Sequence, residues 1–200
     1  MYLSNMRGML KAARQKPQLV SVSAINLGHR LKHRYQIGNG GGWSHPPEVL
    51  SAFVTDRCNM CCKACHYAHS DNAGYQLNLV GDMELSIFQK MIAGTPGNPI
   101  ISITGGEPLL HPRIGEFIAY AKEVNRVCTL VTNGWMLSKH ARTISEAGLD
   151  ILTISLDGLE KTHDRIRGDR SFERLMAGVR CILEQQPRPI VIVSMAISDM

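Results

Sequence analysis

The chain has 200 residues, 44% of them hydrophobic, 20% charged and 6% aromatic, enough apolar material for a packed domain and too much for a disordered polymer. No apolar run approaches the roughly 20 residues of a membrane-spanning helix, and the first residues lack the pattern of a secretory leader. The net charge of +5 is concentrated: positions 1–47 carry Arg7, Lys11, Arg14, Lys16, Arg30, Lys32 and Arg34 with no Asp or Glu, which leaves the remainder close to neutral.

Residues 1–49 read as a basic, partly helical extension ending in a linker. Leu3, Met6, Leu10 and Ala13 recur at helical spacing, and a glycine run from Gly38 to Gly42 leads to Pro46-Pro47. A solvated arm, an amphipathic helix in contact with anionic membrane lipid and an organellar targeting segment all fit that composition. Specific nucleic-acid binding is not expected, because aromatic residues do not interleave the charges.

From residue 50 the pattern becomes strand–helix alternation to residue 200. Leu50 to Thr55 reads as a strand, followed by a helix bearing Leu85, Phe88 and Ile92 and a strand from Ile100 to Thr104. A helix with Ile114, Phe117, Ile118, Ala121 and Val124 precedes a strand near Val127 to Val131. A short helix around Leu137, Ala141 and Ile144 leads to the strand Ile151 to Ser155. The stripe Phe172, Leu175, Met176, Val179, Ile182 and Leu183 marks another helix, stopped by Pro187 and Pro189, before a strand from Ile190 to Ile197. Alternation of this kind predicts an α/β fold with parallel strands and outer helices. A complete eight-fold barrel needs roughly 250 residues, so a partial (βα) barrel, cut short at its C-terminal side, is expected.

The chemistry-bearing residues follow the C-terminal ends of predicted strands, the rim where parallel α/β folds bind ligands. Four rim loops carry candidates: Cys58 to Cys65, Thr104-Gly105-Gly106-Glu107-Pro108, Thr132-Asn133-Gly134 and Ser155-Leu156-Asp157-Gly158. Of six cysteines, Cys58, Cys61, Cys62 and Cys65 crowd into one loop, while Cys128 and Cys181 lie in apolar surroundings. Such clustering fits metal ligation in a reducing cytoplasm better than a disulfide framework. Soft thiolates suit zinc or iron–sulfur clusters. The spacing of Cys58, Cys62 and Cys65 suits three corners of a four-iron cluster, with the fourth iron open. Zinc held by the pairs Cys58–Cys61 and Cys62–Cys65 is the alternative, although structural zinc sites usually separate their ligand pairs.

The CxxxCxxC loop after the first strand, Gly105-Gly106-Glu107-Pro108 after the second, and Ser155-Leu156-Asp157-Gly158 with His163-Asp164-Arg165 downstream resemble the radical S-adenosylmethionine (SAM) superfamily from about Ser51 onwards. They are similar in particular to members with C-terminal auxiliary-cluster (SPASM-type) domains. The resemblance implies a TIM-like partial barrel, with Cys58, Cys62 and Cys65 as ligands of a 4Fe–4S cluster and Cys61 outside the ligand set. It implies SAM contacts from Gly105, Gly106 and Glu107 to the amino group. Asn133, Ser155 and Asp157, with Thr132 beside them, would hold ribose and carboxylate. The implied reaction is reductive cleavage of SAM to a 5′-deoxyadenosyl radical that takes hydrogen from a small-molecule or peptide substrate, in peptide or cofactor maturation, with flavodoxin or ferredoxin as electron donor. Many members place an aromatic residue before the third cysteine; here that position is Ala64, with Tyr67 nearby. A non-catalytic metal-binding module and an inactive fragment of such an enzyme are the alternative functions. No catalytic side chain is assigned. His66 and His69 read as polar loop residues, and Arg165 and Arg167 as salt-bridge partners.

Overall fold

The structure, a computed structural model, describes residues 14–39, 45–65 and 81–196. The expectations for Leu3, Met6, Leu10 and Ala13, for the glycines at 40–42, and for His66, Tyr67 and His69 lie outside those residues.

Five short strands form one parallel sheet: β1 (Val49–Phe53), β2 (Ile100–Thr104), β3 (Cys128–Thr132), β4 (Ile151–Ser155) and β5 (Ile190–Ser194). They pair in sequence order, β1 to β5, with Leu50 opposite Ile101, Ile103 opposite Leu130 and Leu152 opposite Val191. Right-handed crossovers that always step to the next strand place every intervening helix on the same face. That is barrel winding rather than the two-sided winding of a Rossmann sheet, and it matches the expected partial (βα) barrel.

The helices between strands are α2 (Leu85–Gly94), α3 (Ile114–Glu123), α4 (Leu137–Glu146), α5 (Glu160–Arg167) and α6 (Ser171–Leu183), with a 3-10 turn at Pro108–Leu110. Side chains alternate across each strand. Ala52, Ile101, Ile103, Leu130, Leu152 and Ile154 are therefore buried under the helices, against Phe88, Phe117, Ile118, Ile144, Leu175 and Ile182. The rings of Phe88 and Phe117 meet at 4.8 Å with a 48° tilt, a geometry that adds to their area burial. The opposite, concave face carries Ser51, Ser102, Thr129, Thr153 and Ser155, none of them fully buried.

A further helix, α1 (Pro17–Gly38), runs under the N-terminal ends of the strands. At its start Gln18 donates to the carboxylate of Asp150 at 2.7 Å and Lys16 reaches the Leu149 carbonyl. Near its end Arg30 pairs with Glu48 just before β1, and His33 stands edge-on to His45. Asp150 is fully buried and also accepts from Lys122 (2.5 Å) and from the Cys128 backbone N–H (2.9 Å), so one carboxylate ties α1, α3 and β3 together.

The elements differ from the periodicity reading in several places. Thr55 stands beyond β1, in an isolated bridge to Asp82; β5 stops at Ser194; and α5 is an additional helix. Only His163 of α5 is buried, so its sequence carries no apolar stripe. What fixes its end is Asp164, whose carboxylate accepts from the Phe172 N–H (2.8 Å), the Ser171 hydroxyl (2.9 Å) and the Arg170 N–H, capping α6. Those bonds hold the Asp164 carboxyl below its usual range.

Candidate functional site

The cysteine loop is pinned at both ends. At its root Gly106 N–H donates to Thr55 O (2.9 Å) and Glu107 N–H to Arg57 O (2.8 Å), which extends the β1–β2 pairing past the strands. This approach is what demands the two glycines. A Cβ on Gly105, at φ +143°, would sit 2.3 Å from Thr55 O, and one on Gly106 would sit 2.3 Å from Arg57 O. The Arg57 guanidinium locks the same root by pairing with Asp82 (2.6 Å) and donating to Leu110 O (3.0 Å). At the far end Lys63 N–H donates to Ile166 O of α5 (2.8 Å), and Cys65 N–H to Cys62 O (3.0 Å).

Glu107 does not line the site. It is fully buried, and its carboxylate accepts from the Leu109 N–H (3.0 Å), the Thr132 hydroxyl (2.7 Å) and the Asn133 N–H (2.8 Å). Burial pushes its pKa above the ordinary Glu value, and the three donors oppose that shift. It therefore acts as a cross-brace between the ends of β2 and β3. Thr132 in turn accepts from the Gly134 N–H, and Asn133 accepts from the Trp135 N–H. The Asn133 amide donates to Asn59 Oδ1 (3.0 Å) and lies 3.9 Å from Cys58 Sγ, so the β3 rim reaches over to the cysteine loop.

Between these loops lies a cavity of about 240 Å³. Cys58, Cys62 and Cys65 line it together with Thr104, Gly105, Gly106, Thr132, Asn133, Ser155, Asp157 and Arg167. Ala64 lines it at the position before the third cysteine, and exposed Cys61 does not. The three thiols share this wall without converging on one point: among the described residues, no three His, Cys, Asp or Glu side chains are drawn together as ligands of one ion. Burial pushes the Cys58 and Cys62 thiols up; the Met60 N–H and, less, the Asn133 amide counteract this at Cys58, and the Arg167 guanidinium at Cys62. Cys128, buried under the sheet away from the rim, is pushed up to about 12 by burial, and Cys181 packs against the core.

Across the cavity Arg167 Nε donates to Asp157 at 2.7 Å, and the other oxygen of Asp157 accepts from the Ala196 N–H at 3.0 Å. Asp157 N–H donates to His163 Nδ1 (3.1 Å), which places the neutral imidazole proton on Nε2. His163 is fully buried, and burial, its largest influence, holds its pKa below the ordinary value. The sequence alone reads Arg167 as a plain salt-bridge partner. The structure brings it into the cavity wall, because α5 aims its last turn at the rim. Its spacing from Asp157 is meaningful once a helix is known to begin at Glu160.

The arrangement defines a class: a one-sided parallel (βα) half-barrel whose C-terminal rim gathers three soft sulfur donors and one cation around a small cavity. A sequence model of the radical SAM superfamily matches residues 53–198, and the chain belongs to that superfamily. The cofactors of the family are a 4Fe–4S cluster and SAM. Among curated relatives, the AdoMet-dependent heme synthase of Nitratidesulfovibrio vulgaris is 34% identical over 137 residues, covering 66% of this chain and 36% of its own length. The GTP 3′,8-cyclase of Chlorobaculum tepidum is 39% identical over 127 residues, covering 61% and 37%. The chain thus spans little more than a third of the length of these relatives. Among solved structures, native anSMEcpe with bound AdoMet superposes with a TM-score of 0.57 at 21% identity, covering 73% of this chain and 44% of its own. Streptococcus suis SuiB bound to S-adenosylmethionine gives 0.57 at 18% identity, covering 76% and 35%. These likenesses establish the fold.

Proposed function

We propose that this chain is the cluster-bearing core of a radical SAM enzyme, with Cys58, Cys62 and Cys65 as ligands to three irons and SAM in the adjoining part of the cavity. The supporting observation is that all three thiols and the rim ends of β2, β3 and β4 line one cavity of about 240 Å³. The residues suit the group: thiolates are the donors iron–sulfur clusters take, and Arg167 supplies a cation facing them. When bound, the cluster and SAM supply reductive cleavage and a radical able to take a hydrogen atom from substrate.

The protein's own contribution is positional. Thr104 and Gly105 offer main-chain groups to an ammonium. Arg167, with Nε engaged by Asp157, has guanidinium donors left for a carboxylate, while Asn133 and Ser155 present polar atoms for hydroxyl groups. Glu107 acts one step removed, by holding Asn133. The catalytic unit begins near residue 50 and residues 1–49 are an appended segment. The substrate is a small molecule or a peptide undergoing maturation, and electrons come from a flavodoxin- or ferredoxin-type donor.

The test is electron paramagnetic resonance of anaerobically reconstituted, reduced protein with and without SAM, beside an iron count. A four-iron signal that changes on adding SAM is expected, with iron lost in Cys58→Ala, Cys62→Ala and Cys65→Ala and kept in Cys61→Ala. A normally loaded cluster in Cys62→Ala, stoichiometric zinc instead of iron, or a signal indifferent to SAM would overturn the reading.

A further inference from the structure

Helix α1 leaves most of its large apolar side chains exposed. A surface helix ordinarily buries its apolar stripe and wets its polar one. In α1 the side chains turned from solvent are Gln18, Leu19, Val22, Asn26, His29, His33 and Gln36, and only Val22 among them is fully buried. The outward face carries Val20, Ala24, Leu27, Leu31 and Tyr35, which recur every three or four residues and so form one stripe. Val20 is 52% exposed, Leu27 57%, Leu31 59% and Tyr35 71%, and Ile25 and Ile37 are exposed beside the stripe. Exposed Arg34 and Lys32 flank the stripe on its two sides, and Arg30, paired with Glu48, lies beside Arg34.

We propose that α1 is a membrane-surface helix that seats the bottom of the half-barrel on anionic lipid. The apolar stripe would enter the boundary between headgroups and acyl chains, with the flanking basic groups among lipid phosphates. Charge selects this occupant. Positions 1–47 hold seven Lys or Arg and no Asp or Glu. A second copy of the chain would set two such acid-free segments against each other, whereas anionic lipid complements them. A polyanionic nucleic acid would gain nothing from the apolar stripe. The helix does not cross the bilayer, since among the described residues none is long and apolar enough to do so. Tyr35, the most exposed of the stripe, has the apolar body and polar tip that suit the interface.

The experiment is vesicle flotation of the intact protein, with phosphatidylcholine alone and with roughly one part in three phosphatidylglycerol. The protein is expected to float with the anionic vesicles, to remain behind with pure phosphatidylcholine, and to be released as salt is raised. Leu27→Glu/Leu31→Glu should lower binding by roughly two orders of magnitude, and Arg34→Glu by about tenfold. Both variants alter exposed positions far from the cavity, so circular dichroism and iron content should match the parent. Failure to float with anionic vesicles overturns the proposal, as does binding that survives Leu27→Glu/Leu31→Glu. A dimer in light scattering that this double substitution dissolves, without vesicle binding, would make the stripe a self-association face instead.

Discussion

Removal of the Glu107 carboxylate tests whether it braces the rim or serves as a ligand-facing group. In Glu107→Ala three donors lose their acceptor together: the Leu109 and Asn133 N–H groups and the Thr132 hydroxyl. Each unsatisfied buried donor costs about 1–3 kcal/mol. Water entering the vacated space recovers part of this, so a net loss of about 3–5 kcal/mol is expected. At 2–4 °C per kcal/mol for a domain of this size, the melting midpoint falls by roughly 10 °C. Glu107→Gln keeps an acceptor for Leu109 and Thr132 but turns an NH₂ toward the Asn133 N–H, and costs about 1–2 kcal/mol. Thermal and urea unfolding measure both. Burial raises the folded-state pKa of Glu107, so the native state takes up its proton first. The stability this contributes is complete below the ordinary Glu value and disappears as pH rises through the raised one. The advantage of the parent over Glu107→Gln therefore shrinks with rising pH across that window. If Glu107→Ala were within about 0.5 kcal/mol of the parent while SAM binding collapsed, the bracing argument would be refuted and the carboxylate would belong to the ligand.

Two other perturbations separate the ends of the barrel. Arg167→Ala strands the buried Asp157 carboxylate and should cost about 3 kcal/mol of stability together with at least about tenfold in SAM affinity, measured by titration of the reconstituted protein; an unchanged affinity would remove Arg167 from the binding wall. Asp150→Asn, at the opposite end, should lower stability by about 3 kcal/mol because Lys122, Gln18 and the Cys128 N–H lose a charged acceptor. Iron content after reconstitution should not change, and unfolding and iron assays together check both halves of that statement.

β2 and β4 lie where the apolar runs Ile100–Thr104 and Ile151–Ser155 place them, because five-residue strands with one face packed on helices leave a clear alternation. The order of strands followed from the βα rhythm for the same reason. Helix α5 was not legible: Glu160–Arg167 is mostly charged, buries His163 and is held by polar bonds from Asp164, Ile166 and Arg167, with no apolar stripe to read. Arg167 does pair with a carboxylate, as its sequence reading has it, but its place in the cavity wall depends on that helix. At Gly105 and Gly106 the need for close approach was legible, but not that the approaching groups are the backbones of Thr55 and Arg57. A Glu in a rim loop reads as solvated or ligand-facing. That Glu107 is buried and bonded depends on three donors from the end of β3 and the 3-10 turn, and such tertiary placement leaves no local trace.

The bond from Lys63 N–H to Ile166 O also imposes an order of events during synthesis. The root of the cysteine loop can close as soon as β1 and the Gly105-Gly106 turn have emerged, since Thr55 and Arg57 find their partners there. At the far end, between Cys62 and Cys65, the bond from Lys63 waits for a later element, since its carbonyl partner belongs to the last turn of α5. A nascent chain halted before α5 would lack that bond. The complete set of contacts seen around the three thiols is thus available only after most of the half-barrel has left the ribosome.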